Sequence, residues 1–255
     1  MANPHYSHTP TVSRARAEID AGLQSHMSKV YALMAGAMVI TGLVAYIVGM
    51  DYKAVVNGQA PVLLSPGMIE AMYTSPGRYI VMFAPLLVVF GFGAAINRLS
   101  TSAAQMVFWG FAALMGLSIA WIFAVFTGMS IAQTFFVTAI AFGGLSIYGY
   151  TTKKDLSGWG TFLMMGVIGL VVAMVINIFL QSPAIMFAVS AIGVLLFAGL
   201  TAYDTQNIKN TYLMLRTQPN GEAMAEKAGI MGALQLYLNF LNMFMFLLQF
   251  MGNRE

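Results

Sequence analysis

Two stretches of this chain, residues 99–152 and 156–203, contain no charged side chain. A helix needs about 20 apolar residues to cross the hydrocarbon core of a bilayer, which is about 30 Å thick. Each stretch is therefore long enough for two crossings. Turn-forming residues interrupt each of them once, at Thr127–Ser130 and at Gln181–Pro183. The two stretches predict two helical hairpins inside a membrane.

Three shorter charge-free segments, residues 30–50, 79–97 and 228–253, each allow one more span. Only 8% of the 255 residues are charged and 59% are hydrophobic, so the charges are too few to cover a water-soluble globule. The predicted fold class is all-α: a polytopic membrane protein with seven transmembrane helices. A polar cytoplasmic tail, residues 1–26, is expected to precede a transmembrane domain, residues 27–253. The predicted spans are residues 28–50, 78–97, 103–126, 130–151, 159–181, 184–206 and 230–251.

The distribution of basic residues predicts the orientation, because cytoplasmic loops are enriched in Lys and Arg. With the N-terminus in the cytoplasm, nine basic residues are cytoplasmic and three are outside, which leaves the C-terminus outside. The cytoplasmic set is Arg14, Arg16, Lys29, Arg98, Lys153, Lys154, Lys209, Arg216 and Lys227; the outer set is Lys53, Arg78 and Arg254. These residues form no basic cluster, so we do not expect nucleic acid as a partner.

Asp204 is the acidic residue that continues directly from an apolar span. An ionisable side chain at membrane depth is costly unless it is paired or hydrated, so such a residue indicates a functional site by default. The alternative is that the sixth span ends near Tyr203 and that Asp204 lies among the lipid headgroups. Its position in the sequence does not decide between the two.

The seventh span carries four amide side chains, Gln235, Asn239, Asn242 and Gln249, at spacings that place them on one helical face. Amides that face lipid would lack hydrogen-bond partners, so this face should point into the bundle and the seventh helix should be central. The amides can either line an ion path or serve only as hydrogen bonds between helices.

The residue inventory argues against an enzyme. The chain has no cysteine, and all three histidines lie before residue 27. A membrane-embedded serine or zinc protease needs a histidine inside the bilayer, and an aspartyl protease needs two embedded aspartates. We therefore expect no catalytic residues and no cofactor.

Three motifs, in order along the chain, resemble the Bax inhibitor family, also called the transmembrane Bax inhibitor motif family. They are YGYTTKKDLS at Tyr148–Ser157, which is similar to the bacterial branch, YDTQNIK at Tyr203–Lys209 and GALQLYLNFLNMF at Gly232–Phe244. The resemblance implies a seven-helix fold around a central seventh helix and a pH-sensitive calcium leak. It also implies a bacterial inner membrane, a role in stress survival and contacts with other membrane proteins.

In that family an acidic residue on the sixth helix and one on the seventh share a proton, and a basic residue at the end of the second helix can latch onto the pair. Asp204 matches the first position and Arg98 matches the latch, but Asn239 stands at the second acidic position. Two carboxylates in contact titrate as a coupled pair, which an amide cannot do. One carboxylate also offers calcium fewer hard oxygen ligands than two. We therefore expect weak pH sensing and, at most, weak and transient calcium binding at Asp204.

Two functions of different class remain open from the sequence. In the first, the protein is a passive cation leak with Asp204, Asn239 and Arg98 as ion path and gate, and its partners are the lipid bilayer and calcium or protons. In the second, it conducts nothing appreciable and binds or regulates another membrane protein complex.

Overall fold

The computed structural model describes residues 10–254 of the chain, and the side chains of residues 19–254. The helices of this part are α1 (Pro10–Val56), α2 (Pro66–Tyr73), α3 (Gly77–Ala95), α4 (Thr101–Ile119), α5 (Ile122–Val125), α6 (Gly128–Thr151), α7 (Trp159–Leu180), α8 (Pro183–Leu215) and α9 (Gly221–Met251). No strand element occurs in residues 10–254. The predicted all-α class is confirmed.

Seven segments of the described chain are long and apolar enough to cross a membrane, which confirms the predicted number. They correspond to α1, α3, α4 with α5, α6, α7, α8 and α9. In α9, 67% of the most apolar 18-residue window is buried inside the protein, against 33% or less in each of the other six. The seventh span is therefore the central helix, and the others surround it.

The two hairpin turns fall where turn formers interrupt the charge-free stretches. Thr127 caps α6, since its hydroxyl accepts a hydrogen bond from Ser130 N at 3.2 Å. At the other turn Gln181 ends α7 with a left-handed φ of 49°, and the Ser182 hydroxyl caps α8 by accepting from Ile185 N at 3.4 Å. Pro183 is the first residue of α8. A backbone N–H at this position would have no acceptor within the helix, so the N–H that proline lacks costs no hydrogen bond.

The loops of residues 96–100, 152–158 and 216–220 lie at one end of the bundle, which we call the basic end. Here α8 and α9 extend beyond the predicted spans, because charged residues end an apolar span but do not end a helix. α8 continues to Leu215 and α9 begins at Gly221, nine residues before the predicted span. The connection turns at Asn220, whose φ is 61°, and a Cβ at Gly221 would overlap the Leu215 carbonyl oxygen.

The segment predicted as a polar tail is partly helical. α1 begins at Pro10, so residues 10–26 belong to the first helix; residues 1–9 lie outside the described part. Leu23 is 6% exposed, and the His26 ring stacks on Tyr212 with 4.6 Å between ring centroids. These contacts with the helices of the basic end explain why a segment with few apolar residues continues the helix.

At the opposite end, the residues after α9 are bonded to the start of α6. Thr127 N donates to the Asn253 carbonyl at 3.0 Å, and Asn253 N donates to the Ser130 hydroxyl at 2.9 Å. The Arg254 guanidinium lies 5.8 Å from the centre of the Phe126 ring. The central helix is thus fixed to the wall of the bundle where it ends.

Candidate functional site at the α8–α9 seam

Asp204 of α8 and Asn239 of α9 are in direct contact inside the bundle. The Asn239 Nδ2 donates a hydrogen bond of 2.6 Å to Asp204 Oδ2. Asp204 is 8% exposed and Asn239 is 5% exposed. The structure therefore brings together the two residues that the resemblance paired, and Asp204 lies within α8, which continues for eleven residues beyond it.

The residues after Asp204 connect α8 to the neighbouring chain segments. The Thr205 hydroxyl donates to the Thr201 carbonyl at 2.7 Å and also lies 3.4 Å from the Ser146 hydroxyl of α6. The Gln206 amide spans the loop between α6 and α7: its Oε1 accepts from Leu156 N and its Nε2 donates to the Lys154 carbonyl, both at 2.8 Å. One turn of α8 thus contacts α9, α6 and the 152–158 loop in succession.

Further contacts fix the end of α6 and the loop that follows it. The Lys209 Nζ donates to the Tyr150 carbonyl at 2.8 Å and lies 5.3 Å from the centre of the Tyr150 ring. Within the loop, Ser157 N donates to Asp155 Oδ1 at 2.9 Å. Hydrogen bonds from the Ser157 hydroxyl and from its backbone N–H lower the pKa of the exposed Asp155 carboxyl from its ordinary value.

The predicted amide face of α9 is only partly buried. The expectation that all four amides point into the bundle is wrong for Gln235, whose side chain is exposed. Asn242 is half-buried, and its Nδ2 donates to the Leu238 carbonyl of its own helix at 2.9 Å. Gln249 accepts a hydrogen bond of 3.3 Å from the Ser190 hydroxyl. The four residues share a helical face but differ in burial, so they form no continuous buried polar row.

Aromatic side chains separate the Asp204–Asn239 pair from the polar residues near the opposite end. Phe246 packs against Gly193, where a Cβ would lie 2.6 Å from the ring, and it stacks on Phe197 with 5.9 Å between centroids. Beyond this barrier a cavity of about 490 Å³ is lined by Asn177, Gln181, Ser182, Ser190, Gln249 and Arg254, among others. In this structure the α8–α9 seam is closed.

Arg98 does not contact the pair. Its side chain is exposed, and no ion pair joins it to Asp204 in the described part of the chain. The α3–α4 turn is instead anchored by Lys227, whose Nζ donates to the Asn97 carbonyl at 3.3 Å. Lys227 precedes Asn239 by twelve residues of α9, which is about 18 Å along the helix. The expected Arg98 latch is thus absent from this closed arrangement.

Sequence reasoning did not assign roles to Gln206 and Lys209, although both lie in the YDTQNIK motif. Their partners are backbone groups of Lys154, Leu156 and Tyr150, about 50 residues away in the sequence. The signal that could have indicated them is their position: both are polar and follow the buried Asp204 within the next five residues of the same helix.

The site can hold a cation only weakly by itself. Among residues 19–254 there is no cluster of three or more His, Asp and Glu side chains that could bind a metal ion. A single carboxylate with an amide neighbour supplies one negative charge and few oxygen ligands, whereas calcium takes six to eight. The arrangement fits transient contact with a passing ion better than a resident metal.

Comparison with known proteins assigns the family. Residues 23–255 match the model of the family described as inhibitor of apoptosis-promoting Bax1. The chain is 43% identical to a protein of Caulobacter vibrioides over 259 residues, covering 99% of this chain and 98% of that protein. It is 42% identical to the inner membrane protein YbhL of Escherichia coli K12 over 236 residues, covering 92% of this chain and 94% of YbhL. With seven apolar helices and these relatives, the chain is a multi-pass inner membrane protein that belongs to the Bax inhibitor family.

Proposed function

We propose that this protein is a passive cation leak whose ion path follows the α8–α9 seam through Asp204. The observation that carries the proposal is a carboxylate 8% exposed inside the membrane bundle, with Asn239 as its hydrogen-bond partner. A buried carboxylate without a basic partner costs several kcal/mol, which a purely structural role would not require. Its negative charge attracts a cation into a bundle that is otherwise apolar. The proposal involves no catalysis and no cofactor.

The remainder of the proposed path consists of polar residues on either side of an aromatic barrier. Asp204 and Asn239 lie on the side of the basic end, and the cavity with Ser190 and Gln249 lies on the other. Phe246, stacked on Phe197, closes the seam between them. Conduction therefore requires a displacement of Phe246. Contact between Arg98 and Asp204 requires a different arrangement of the helices. We further propose that the basic end faces the cytoplasm, since the loops there carry Arg98, Lys153, Lys154 and Arg216.

Removal of the charge at Asp204 tests the leak. In proteoliposomes that contain the purified protein, calcium entry through Asp204→Asn should fall by about tenfold, because the ion loses the one negative charge in the seam. The matched control is Asp155→Asn, which removes a carboxylate from an exposed loop and should leave the flux unchanged. If the wild-type protein leaks no more than empty vesicles at any pH, the leak hypothesis is wrong.

A second carboxylate at position 239 should add pH dependence. In Asn239→Asp two carboxylates would be in contact, and such a pair shares a proton and titrates in two separated steps. We expect the flux ratio between pH 6 and pH 8 to change by about threefold or more relative to wild type, as one added charge at short range warrants. Asn242→Asp is the control, because Asn242 bonds its own helix and does not contact Asp204. Equal pH profiles for Asn239→Asp and wild type would refute the proposed role of the pair.

A second candidate function is a non-conducting protein that binds or regulates another membrane complex. The closed seam and the single carboxylate, already hydrogen-bonded by Asn239, favour it. In that case Asp204 and Asn239 join α8 to α9, and Asp204→Asn lowers stability without any change in flux. The same proteoliposome series therefore distinguishes the two candidates.

A further inference from the structure

A cavity of about 950 Å³ opens at the basic end between α1, α4 and the connection from α8 to α9. It is separate from the Asp204–Asn239 pair, since neither residue lines it. Its charged lining residues are Lys29, Arg216, Glu222 and Glu226, and its apolar lining includes Val30, Leu33, Trp109 and Ile230. A concave site of this size, with a few charged groups over an apolar wall, is typical of a ligand site.

Trp109 indicates the depth of this cavity in the membrane. Its ring packs against α1 at Gly36, where a Cβ would lie 2.9 Å from the ring, so the ring closes the space between α1 and α4. Tryptophan is enriched at the boundary between headgroups and hydrocarbon. The charged part of the cavity lies beyond this ring toward the basic end, and therefore at headgroup level.

The cavity wall is formed by packed side chains. The buried His26 ring, 9% exposed, stacks on Tyr212, and it approaches α9 at Gly229, where a Cβ would lie 3.0 Å from the ring. His26, Tyr212 and Gly229 all line the cavity. The site is thus preformed and does not require a loop to close over it.

The charges of the cavity have both signs. Glu222 and Glu226 are one turn apart on α9, and both line the cavity, as does Lys29 of α1. Both glutamates are exposed, and neither has a hydrogen bond or ion pair with residues 19–254. A ligand that carries an ammonium group and a phosphate would match this arrangement, with the ammonium on the glutamates and the phosphate on Lys29.

An apolar surface leads from the cavity along the membrane-facing side of α1. Ala32 lines the cavity and is exposed, and Val39, Leu43 and Tyr46 follow it on the same helical face with 61%, 57% and 55% exposure. This face can carry an acyl chain from the headgroup level into the hydrocarbon. A soluble ligand without an acyl chain would not contact this face.

We propose that this cavity binds the headgroup of a zwitterionic phospholipid of the ethanolamine class. Its primary ammonium contacts Glu222 and Glu226, its phosphate contacts Lys29, and one acyl chain follows the α1 face from Ala32. A choline headgroup has no N–H to donate to the glutamates, and a glycerol headgroup has no positive charge for them. The lipid joins α1, α4 and α9 at the end of the bundle where the α8–α9 connection lies.

Native mass spectrometry of the full chain, released from mixed micelles with equal amounts of ethanolamine, choline and glycerol phospholipids of identical acyl chains, tests the proposal. We expect the ethanolamine lipid to be retained about fivefold over each of the others, as one or two partly exposed ionic contacts warrant. Glu222→Gln combined with Glu226→Gln should remove this preference, and Lys29→Gln should lower the retention of all three lipids. Glu70→Gln, a change of an exposed glutamate outside the cavity, is the matched control.

Fluorescence gives an independent measurement at the cavity itself. In a variant with Trp121→Phe and Trp159→Phe, Trp109 is the remaining tryptophan, and an ethanolamine lipid brominated near the start of its acyl chain should quench it more than the brominated choline lipid does. Equal retention of the three lipids, equal quenching, or the same loss in Glu70→Gln would overturn the proposal. Displacement of the lipid by soluble glycerophosphoethanolamine at equal concentration would overturn the assignment to a membrane lipid.

Discussion

Gly149→Ala is expected to lower the free energy of unfolding by about 2 to 3 kcal/mol, the cost of inserting a methyl group against a rigid backbone group. A Cβ at Gly149 of α6 would overlap the carbonyl oxygen of Ala202 in α8. A backbone oxygen cannot rotate away as a side chain can, so the two helices must move apart. Thermal unfolding in detergent micelles, followed by circular dichroism, measures the effect.

The control lies on the same helix. Gly144 has nothing within 4 Å of the position of a Cβ. Gly144→Ala should raise the free energy of unfolding by up to about 1 kcal/mol, because alanine favours the helix over glycine. Opposite signs for the two variants are the expected result, and a Gly149→Ala variant as stable as wild type would contradict the close packing of α6 on α8.

The displacement also affects the candidate site. Ala202 precedes Asp204 by two residues, and Gln206 on the next turn of α8 holds the 152–158 loop. A shift of α8 away from α6 therefore disturbs the Asp204–Asn239 contact and the loop together. We expect the calcium flux of Gly149→Ala to change as well, whereas that of Gly144→Ala should equal wild type.

Tyr237→Ala is expected to cost about 3 to 5 kcal/mol of stability, the range for truncation of a large buried ring. Tyr237 of α9 is 0% exposed and has edge contacts with Phe108 and Phe111 of α4, at 5.9 Å and 5.8 Å between centroids. In a bilayer the loss arises from the cavity and the lost packing, since lipid is as apolar as the protein interior.

The hydroxyl of Tyr237 contributes a smaller part of this free energy of unfolding, and a separate variant measures it. The Thr41 hydroxyl donates to the Ala112 carbonyl at 2.8 Å, so the Tyr237 hydroxyl, at 2.6 Å, donates to Thr41 Oγ1. Tyr237→Phe removes one hydrogen bond and should cost about 1 kcal/mol. Tyr148→Ala, at a tyrosine 47% exposed, is the control. Similar losses for Tyr237→Ala and Tyr148→Ala would show that α9 is not the packing centre of the bundle.

The sequence predicts the spans well because a charge-free stretch of known length has few alternatives in a bilayer. It predicts the ends of α8 and α9 less well, since a helix such as α8 continues past Lys209 once it has left the hydrocarbon. Asp204 could be identified because acidic residues are rare in this chain. Its contact with Asn239 followed from the family resemblance, and composition alone did not predict it.

The contacts that sequence reasoning missed depend on the relative rotation of the helices. Gln235 and Asn239 are one turn apart on α9, yet one is exposed and the other is 5% exposed. Side chains four residues apart point about 40° apart around a helix, so a spacing rule groups residues on a broad face of which only a part is buried. The bonds of Gln206 to the 152–158 loop likewise require the tertiary fold and leave no periodic signal.

The central position of α9 constrains how this protein is made. During synthesis the other six spans enter the membrane before α9, whereas Tyr237, Phe240 and Phe244 of α9 belong to the buried core of the finished bundle. The Asp204 carboxylate receives its amide partner only when α9 arrives. Until then the six earlier helices form an incomplete bundle in the bilayer, and this acid lacks the hydrogen bond that it has in the finished protein.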